Sequence, residues 1–307
     1  MYGVTSRTSP TKPKVSSVIC VYNGARFLRE AIESALNQTY PAVEVVVIND
    51  GSTDDSDAVC RQYAGRLLYR PQPNAGLARA RNRGIRESTG EYIALLDQDD
   101  AWMPDKIEKQ MTLFEHNPDL GLVFADSAQF DAEGRTVITR TEAGKMRRGH
   151  VLPDLYDHNF VCSLTALCPR HVLDRVGLFW EDLRFSLDWD LWLRIAQVYP
   201  VDFVDEPLAW WRWRPNHAED NHEICLLEAY RIISVRQPAM AGLLRPDQNA
   251  GVKNRLARIA FSLSRIYRRN QDRQNAEKWL RTSVAHDRFT PEQTWALEEI
   301  ETISQTI

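Results

Sequence analysis

The stretch EYIALLDQDDAW, residues Glu91 to Trp102, decides the fold, because an apolar run from Tyr92 to Leu96 empties into Asp97, Gln98, Asp99 and Asp100. This is the pattern of a buried strand that ends in a carboxylate cluster. Three acids within four residues repel one another, so they belong where a divalent cation or a strong donor network offsets the repulsion. A second reading is a helix start, with Asp97 or Asp100 capping the segment that Pro104 opens and Ile107 continues. The two are compatible, since ligands of open α/β sheets bind beyond the C-terminal ends of strands.

Upstream, the same strand-then-polar-loop pattern recurs. Val15 to Val21 is apolar and rich in β-branched residues, Asn23 and Gly24 break it, and Ala25 to Asn37 is amphipathic through Phe27, Leu28, Ile32 and Leu36. Past Thr39, Tyr40 and Pro41, Val43 to Ile48 is a nearly continuous apolar run suited to a parallel sheet covered on both faces, and Asn49, Asp50, Gly51 and Ser52 follow it. A helix over about 53–63, a strand at 67–70 and a helix over about 76–87 complete the approach to Asp97. Alternation of this kind predicts an α/β domain with a mostly parallel sheet. Asp50-Gly51-Ser52 and the acids at 97–100 then share one sheet edge, the predicted site, although Asp50 with Gly51 and Ser52 also reads as a simple turn with a helix cap. Neither GxxxxGK[ST] nor GxGxxG is present, so phosphates bound here would call for a metal clamp.

Length and composition bound the rest. With 307 residues, 43% hydrophobic and 26% charged, the chain can bury a sizeable core. Five cysteines without a CxxC pair indicate neither a zinc site nor a disulfide framework and suit a reducing compartment. No apolar run approaches the roughly 18 residues that span a bilayer, and residues 1–14 are polar, so a cytoplasmic protein with a disordered start is expected. A net charge of −4 gives no support to nucleic-acid binding.

Val18 to Asn23, Asp50 to Asp54, Asn74 to Gly84 and Gly90 to Asp105 resemble, in order and spacing, successive motifs of family 2 glycosyltransferases of the GT-A fold. The resemblance continues through Val176-Gly177-Leu178-Phe179 to Asp188-Trp189-Asp190-Leu191-Trp192-Leu193-Arg194 and covers about 15–215. It implies a nucleotide-sugar donor, a UDP-sugar first among them, with the base near Val21, Tyr22, Asn23 and Asp50, flanked by Gly51 and Ser52, and with Arg81 close by. Asp97 and Asp99 would hold the donor, and Asp99 and Asp100 a divalent cation, Mn²⁺ or Mg²⁺, on its diphosphate. Arg81 and Arg83 also read as a solvated basic face of a helix. Asp188 is implied as the general base of an inverting displacement; from the residues alone it is equally a cap for the helix over Leu187 to Val198.

Leu120 to Ile138 predicts a hairpin turning at Asp131–Gly134, and the polar stretch Thr139 to His158, with Lys145, Arg147 and Arg148, a loop over the site or an inert excursion. Val201 to Val204 and Leu208 to Trp213 read as short strands. Trp210, Trp211 and Trp213, alternating with Arg212 and Arg214, form either a sugar-stacking wall or a core plug, and His217 matches a histidine of similar proteins. From Glu223 the chain turns to helix formers. Leu263, Tyr267, Ala276, Leu280 and Ser283 fall at the offsets of one tetratricopeptide-like helix pair, whose apolar face needs a partner surface. Lys253 to Arg269 is basic and amphipathic, so a solvated arginine face and peripheral contact with the inner face of a membrane are both open.

The expectation is therefore a disordered 1–14, a GT-A α/β domain over 15–220 and a helical extension over 221–307. It would transfer sugar to a saccharide or lipid-linked saccharide acceptor in polysaccharide or glycoconjugate biosynthesis. A sugar-phosphate nucleotidyltransferase and a non-catalytic scaffold using the extension are the alternatives.

Overall fold

The computed structural model describes residues 12–130, 136–138, 144–212 and 221–286. The expected turn at Asp131–Gly134, the loop residues 139–143, and Trp213, Arg214 and His217 lie outside them. In order the elements are β1 (Val15–Val21), α1 (Ala25–Leu36), β2 (Val43–Asp50), α2 (Ser56–Arg61), β3 (Leu68–Gln72), α3 (Leu77–Glu87), β4 (Tyr92–Asp97), β5 (Ala101–Trp102), α4 (Lys106–His116), β6 (Leu122–Phe130) and β7 (Thr136–Ile138). Then follow α5 (Leu152–Asp157), β8 (Leu167–Pro169), α6 (Arg170–Val176), α7 (Leu187–Ala196), β9 (Val201–Arg212), α8 (His222–Met240), α9 (Pro246–Arg269) and α10 (Arg273–His286).

The strands form one sheet in the order β3-β2-β1-β4-β8-β6-β9-β5, with β7 beside β6. The first four pair in parallel, as their continuous apolar runs predict. Beyond β4 the sheet is mixed: β8 is antiparallel to β4 and β6, β9 runs parallel to β6, and β5 is antiparallel to β9. The two short strands expected at 201–204 and 208–213 are one strand whose pairing with β6 shifts register near Asp126. Alternation sorts the strand residues into two cores. Ile19, Val45, Val47 and Leu96 face α1 and α4, while Val18, Val46, Ile48 and Leu95 face α3 and the later helices.

Against β1, α3 lies close. A Cβ on Gly84 would come within 2.4 Å of Val18 Cγ1, so only glycine lets the helix approach this near. The described part of the expected loop at 139–158 is instead anchored: Val151, Leu152, Leu155 and Tyr156 are buried and α5 joins the core. Apolar side chains two to four positions apart explain that outcome in a segment that otherwise looks polar.

The helical extension shares this core. Ile232, Ile233, Met240, Val252, Leu256, Ile259 and Leu263 cluster with residues of α5 and α7. The helices α9 and α10 turn back on each other, with Leu263, Ala276, Leu280 and Ser283 buried and the Ser283 hydroxyl donating to the Ala257 carbonyl at 2.8 Å. Since Leu256, Ile259 and Leu263 are spent inside, only the basic side of 253–269 faces outward. Removal of everything after residue 222 exposes the matching faces of α5 and α7, and the shortened chain is expected to lose cooperative thermal unfolding and to aggregate. A soluble truncated chain with an unchanged melting temperature would show that the shared core contributes nothing to stability.

Candidate active site

The loops after β1 and β2 are sewn to each other before they meet any ligand. The Asn23 amide donates to Ser52 Oγ (3.0 Å) and the Thr53 amide to Asn23 Oδ1 (2.8 Å). At the start of α1, where Gly24 has no side chain to cap with, Asp54 reaches across and accepts from the Ala25 amide at 2.9 Å. Gly51 turns with φ 76° against Asn74, where a Cβ would meet the Asn74 amide at 2.6 Å. Asp50, buried, accepts from Gln72 Nε2 (2.6 Å) and from the amides of Ala75 (2.9 Å) and Gly76 (2.8 Å). Its carboxylate therefore fixes the loop that opens α3 while still lining the cleft.

At the end of β4 the acids separate by environment. Asp97 pairs with Arg81 at 2.6 Å, and the Arg81 guanidinium, buried beneath the cleft floor, stacks 5.5 Å from the Phe179 ring centre. Gln98 turns the other way and accepts from the Tyr22 amide at 2.8 Å, docking the acidic loop on the β1 loop. Asp100 is buried and accepts from the Arg212 amide at 2.8 Å. Burial, then the nearby Asp97, pushes the Asp100 carboxyl well above the usual range, against the pull of Arg212. Neither Asp97 nor Asp100 caps the following helix, whose N-cap position is Asp105. Away from the floor, Arg79 pairs with Glu181 and Arg83 with Glu87 on the surface, which separates both from Arg81.

Two compartments meet over this floor. The first, a cleft of about 530 Å³, is lined among others by Val21, Tyr22, Asp50, Asp97, Gln98 and Asp99. The second, of about 440 Å³, is lined by Asn159, Cys162, Phe185 and Asp188. Asp97, Asp100 and Trp211 belong to both. Of the tryptophans expected as wall or plug, Trp211 is 40% exposed at the junction, whereas Trp210 packs edge-on against Phe130.

Asp188 is not the helix cap. Ser186 holds the N-cap position of α7, and Asp188 lies in the first turn with Oδ1 accepting from the Trp189 amide at 2.7 Å. Burial raises its pKa, opposed by Arg81, the Trp189 amide and the Asn159 side chain, while Asp97 adds to the rise. Asp190, two positions on, is fully buried away from the compartments, between Arg194 (3.0 Å) and Arg236 of α8 (2.7 Å). Cys162 is no rival nucleophile, because burial pushes its thiol up to about 12.

The base of α7 is held from the extension. Glu228 of α8, buried, accepts from the amides of Arg184 (2.5 Å), Phe185 (3.0 Å) and Ser186 (2.8 Å). A carboxylate on three consecutive amides satisfies the backbone donors of the turn that leads into α7, up to its N-cap residue Ser186. Sequence reasoning passed over Glu228, Gln98, Asn159 and Asp54. Only Asp54 left a local signal, an acid just before a helix; the others act across long sequence separations.

Comparison with known proteins settles the family. The profile described as "Glycosyl transferase family 2" matches residues 16–177. The chain belongs to glycosyl transferase family 2. An uncharacterized glycosyltransferase of Rickettsia typhi is 34% identical over 200 residues, 64% of this chain and 63% of that protein. The chondroitin synthase of Escherichia coli is 28% identical over 206 residues, 66% of this chain and 29% of its own length. The match thus spans less than two thirds of these relatives. Among solved structures, S. aureus TarS in complex with UDP-GlcNAc aligns with TM-score 0.57 at 17% identity, over 87% of this chain and 90% of that one. The mannosyltransferase PcManGT from Pyrobaculum calidifontis, in complex with GDP-Man and Mn²⁺, aligns with TM-score 0.61 at 18% identity, over 97% and 81%. This family 2 member shares their fold, including helices after the sheet.

Replacing Glu228 by Ala strands three amides at the base of α7, and a loss of about 3 kcal/mol is expected, read as a lower denaturation midpoint. Glu228→Gln retains one acceptor oxygen and should recover part of it. Equal stability of all three forms would mean that solvent satisfies these amides equally well.

Proposed function

We propose that this chain is a metal-dependent glycosyltransferase that moves a sugar from a nucleoside-diphosphate donor to an acceptor hydroxyl with inversion. The observation that carries the reading is the meeting of the two compartments across Asp97, Asp100 and Trp211, with a further carboxylate, Asp188, in the second alone. In the first compartment the half-exposed Tyr22, beside the buried Val21, offers a face to the base, positioned by Asn23, Gly51 and Ser52. Asp50 shapes the adjoining loop and Asp97 takes the ribose, held in place by Arg81. Two neighbours in fold carry nucleotide sugars, UDP-GlcNAc in one and GDP-Man in the other, in keeping with such a donor.

The floor suits a hard cation. Asp97, Asp99 and Asp100 line the cleft, where Arg81 pairs with Asp97 and Arg212 is drawn off by Glu30 outside it. Among the described residues no three metal-ligating side chains converge as a closed cage. Mg²⁺ and Mn²⁺ need none, since one or two carboxylates plus substrate phosphates complete their shell. Asp99 with Asp100 would hold the ion. When bound, it offsets the charge that builds on the departing diphosphate.

The acceptor hydroxyl, in the second compartment, donates its proton to the Asp188 carboxylate as its oxygen attacks the anomeric carbon. The bond to the diphosphate oxygen breaks on the opposite side, which inverts the centre. The raised pKa makes Asp188 a stronger base, and Asn159 orients it.

Transfer should cease in excess EDTA and return with Mn²⁺, measured as release of free nucleoside diphosphate; undiminished turnover in chelator sinks the metal assignment. Asp188→Asn should lower kcat by about 10²- to 10⁴-fold while the Kd for the donor stays nearly constant. Because the base must be ionised and faces Arg81, Asp97 and Asn159, kcat should fall on acidification through a pKa above the ordinary value of about 4. A pH-independent kcat down to that point, or an active Asp188→Asn, assigns the base elsewhere. Asp190→Asn is a stability variant, since it removes a buried charge from Arg194 and Arg236.

A further inference from the structure

Outside the two compartments lies a second recessed surface that the transfer reaction leaves without a role. Two adjoining hollows of about 540 and 560 Å³ share Asp157, Arg255 and Arg258 between the end of α5 and the outward side of α9. Lys253 lines the first and Lys145 with His158 the second, so among the described residues Asp157 is the lone acid beside the cations of the lining. Arg258 meets it only at 3.8 Å, with both side chains largely exposed, which makes a weak pair. Arg255 is the half-buried anchor: its guanidinium lies 4.6 Å over the Trp189 ring and donates to the Tyr156 carbonyl. Burial, helped by the neighbouring Arg258 and opposed by Asp157, drives it down to about 10. A desolvated, planar, stacked guanidinium with open donor positions is suited to a carboxylate or phosphate.

The position of this surface gives it meaning. His158 lines the hollow, and the next residue, Asn159, lines the acceptor compartment and contacts Asp188. On the opposite edge Leu226 lines the hollow, while the preceding Cys225 lies within the field of Asp188. Trp189, under Arg255, follows Asp188 in the chain. The hollows therefore border the compartment of Asp188, one residue away along the chain at His158–Asn159 and at Asp188–Trp189.

We propose that this basic groove binds the anionic stretch of a glycan acceptor, carboxylate- or phosphate-bearing units that run outward from the hydroxyl presented to Asp188. The proposal rests on the transferase reading for its direction, but its test does not require turnover. Binding of end-labelled oligogalacturonate and of inorganic polyphosphate is followed by fluorescence anisotropy on the full chain. Neutral maltooligosaccharide is the control, and phosphatidylglycerol vesicles are the lipid arm. One or both anionic oligomers should bind and the neutral one should not, the preferred oligomer telling carboxylate from phosphate.

Affinity should weaken about tenfold or more as salt rises from about 0.05 to about 0.5 M. It should weaken about as much in Lys253→Glu combined with Arg258→Glu, exposed positions that fold without difficulty, and in Arg255→Gln. An oligomer that also enters the acceptor compartment loses affinity in Trp211→Ala. Equal binding of the neutral oligomer, anionic binding indifferent to charge reversal or to Trp211→Ala, or binding to vesicles alone would overturn the proposal. Failure of the transferase reading would register separately, as an active Asp188→Asn enzyme with oligomer binding intact.

Discussion

A single guanidinium beneath the end of β4 governs how the site can exist. Arg81 is buried, brought up to the sheet by the close approach at Gly84, and bonded to Asp97. Its charge also reaches Asp188 on the other side of the floor. Without it, the desolvated Asp188 and Asp97 would lose the cation they share, and protonation would be the cheapest relief. One cation thus keeps two carboxylates of different purpose in one small volume.

The parallel half of the sheet was legible because its signals are local. Apolar runs at Val43–Ile48 and Tyr92–Leu96 become parallel strands, and the polar breaks after them become loops on a common edge. The motif resemblance placed Asp188 and the acids in one site for the same reason. What sequence could not resolve was competition between local roles: Asp188 and Asp100 both suit helix caps, and only the surroundings, with Ser186 and Asp105 at the caps, decide otherwise.

The second half was harder to read. β8 and α5 are short, and register shifts in β9 follow from pairing with β6 rather than from any property of their own residues. Glu228 and Arg236 look like ordinary charges of an exposed helix, and their partners lie more than forty positions away. The apolar stripe at Leu256, Ile259 and Leu263 did announce burial, but its destination, the core against α5 and α7, is tertiary information.

The Glu228 cap has a consequence in time. β1 to β4 pair with one another within the first hundred residues, so a growing chain can form these parallel strands early, with Trp211 and Arg212 closing the cleft later. The base of α7 cannot be closed until α8 has been made, 42 to 44 positions after the amides it must satisfy. Met240 and Arg255 then reach back 84 and 99 positions to Tyr156. Loop closures of that span are slow relative to local ones. The nascent protein therefore passes through a stage in which the parallel strands are paired while the turn that carries α7, with Asp188 in its first turn, is still open, and synthesis of α8 is the step that closes it.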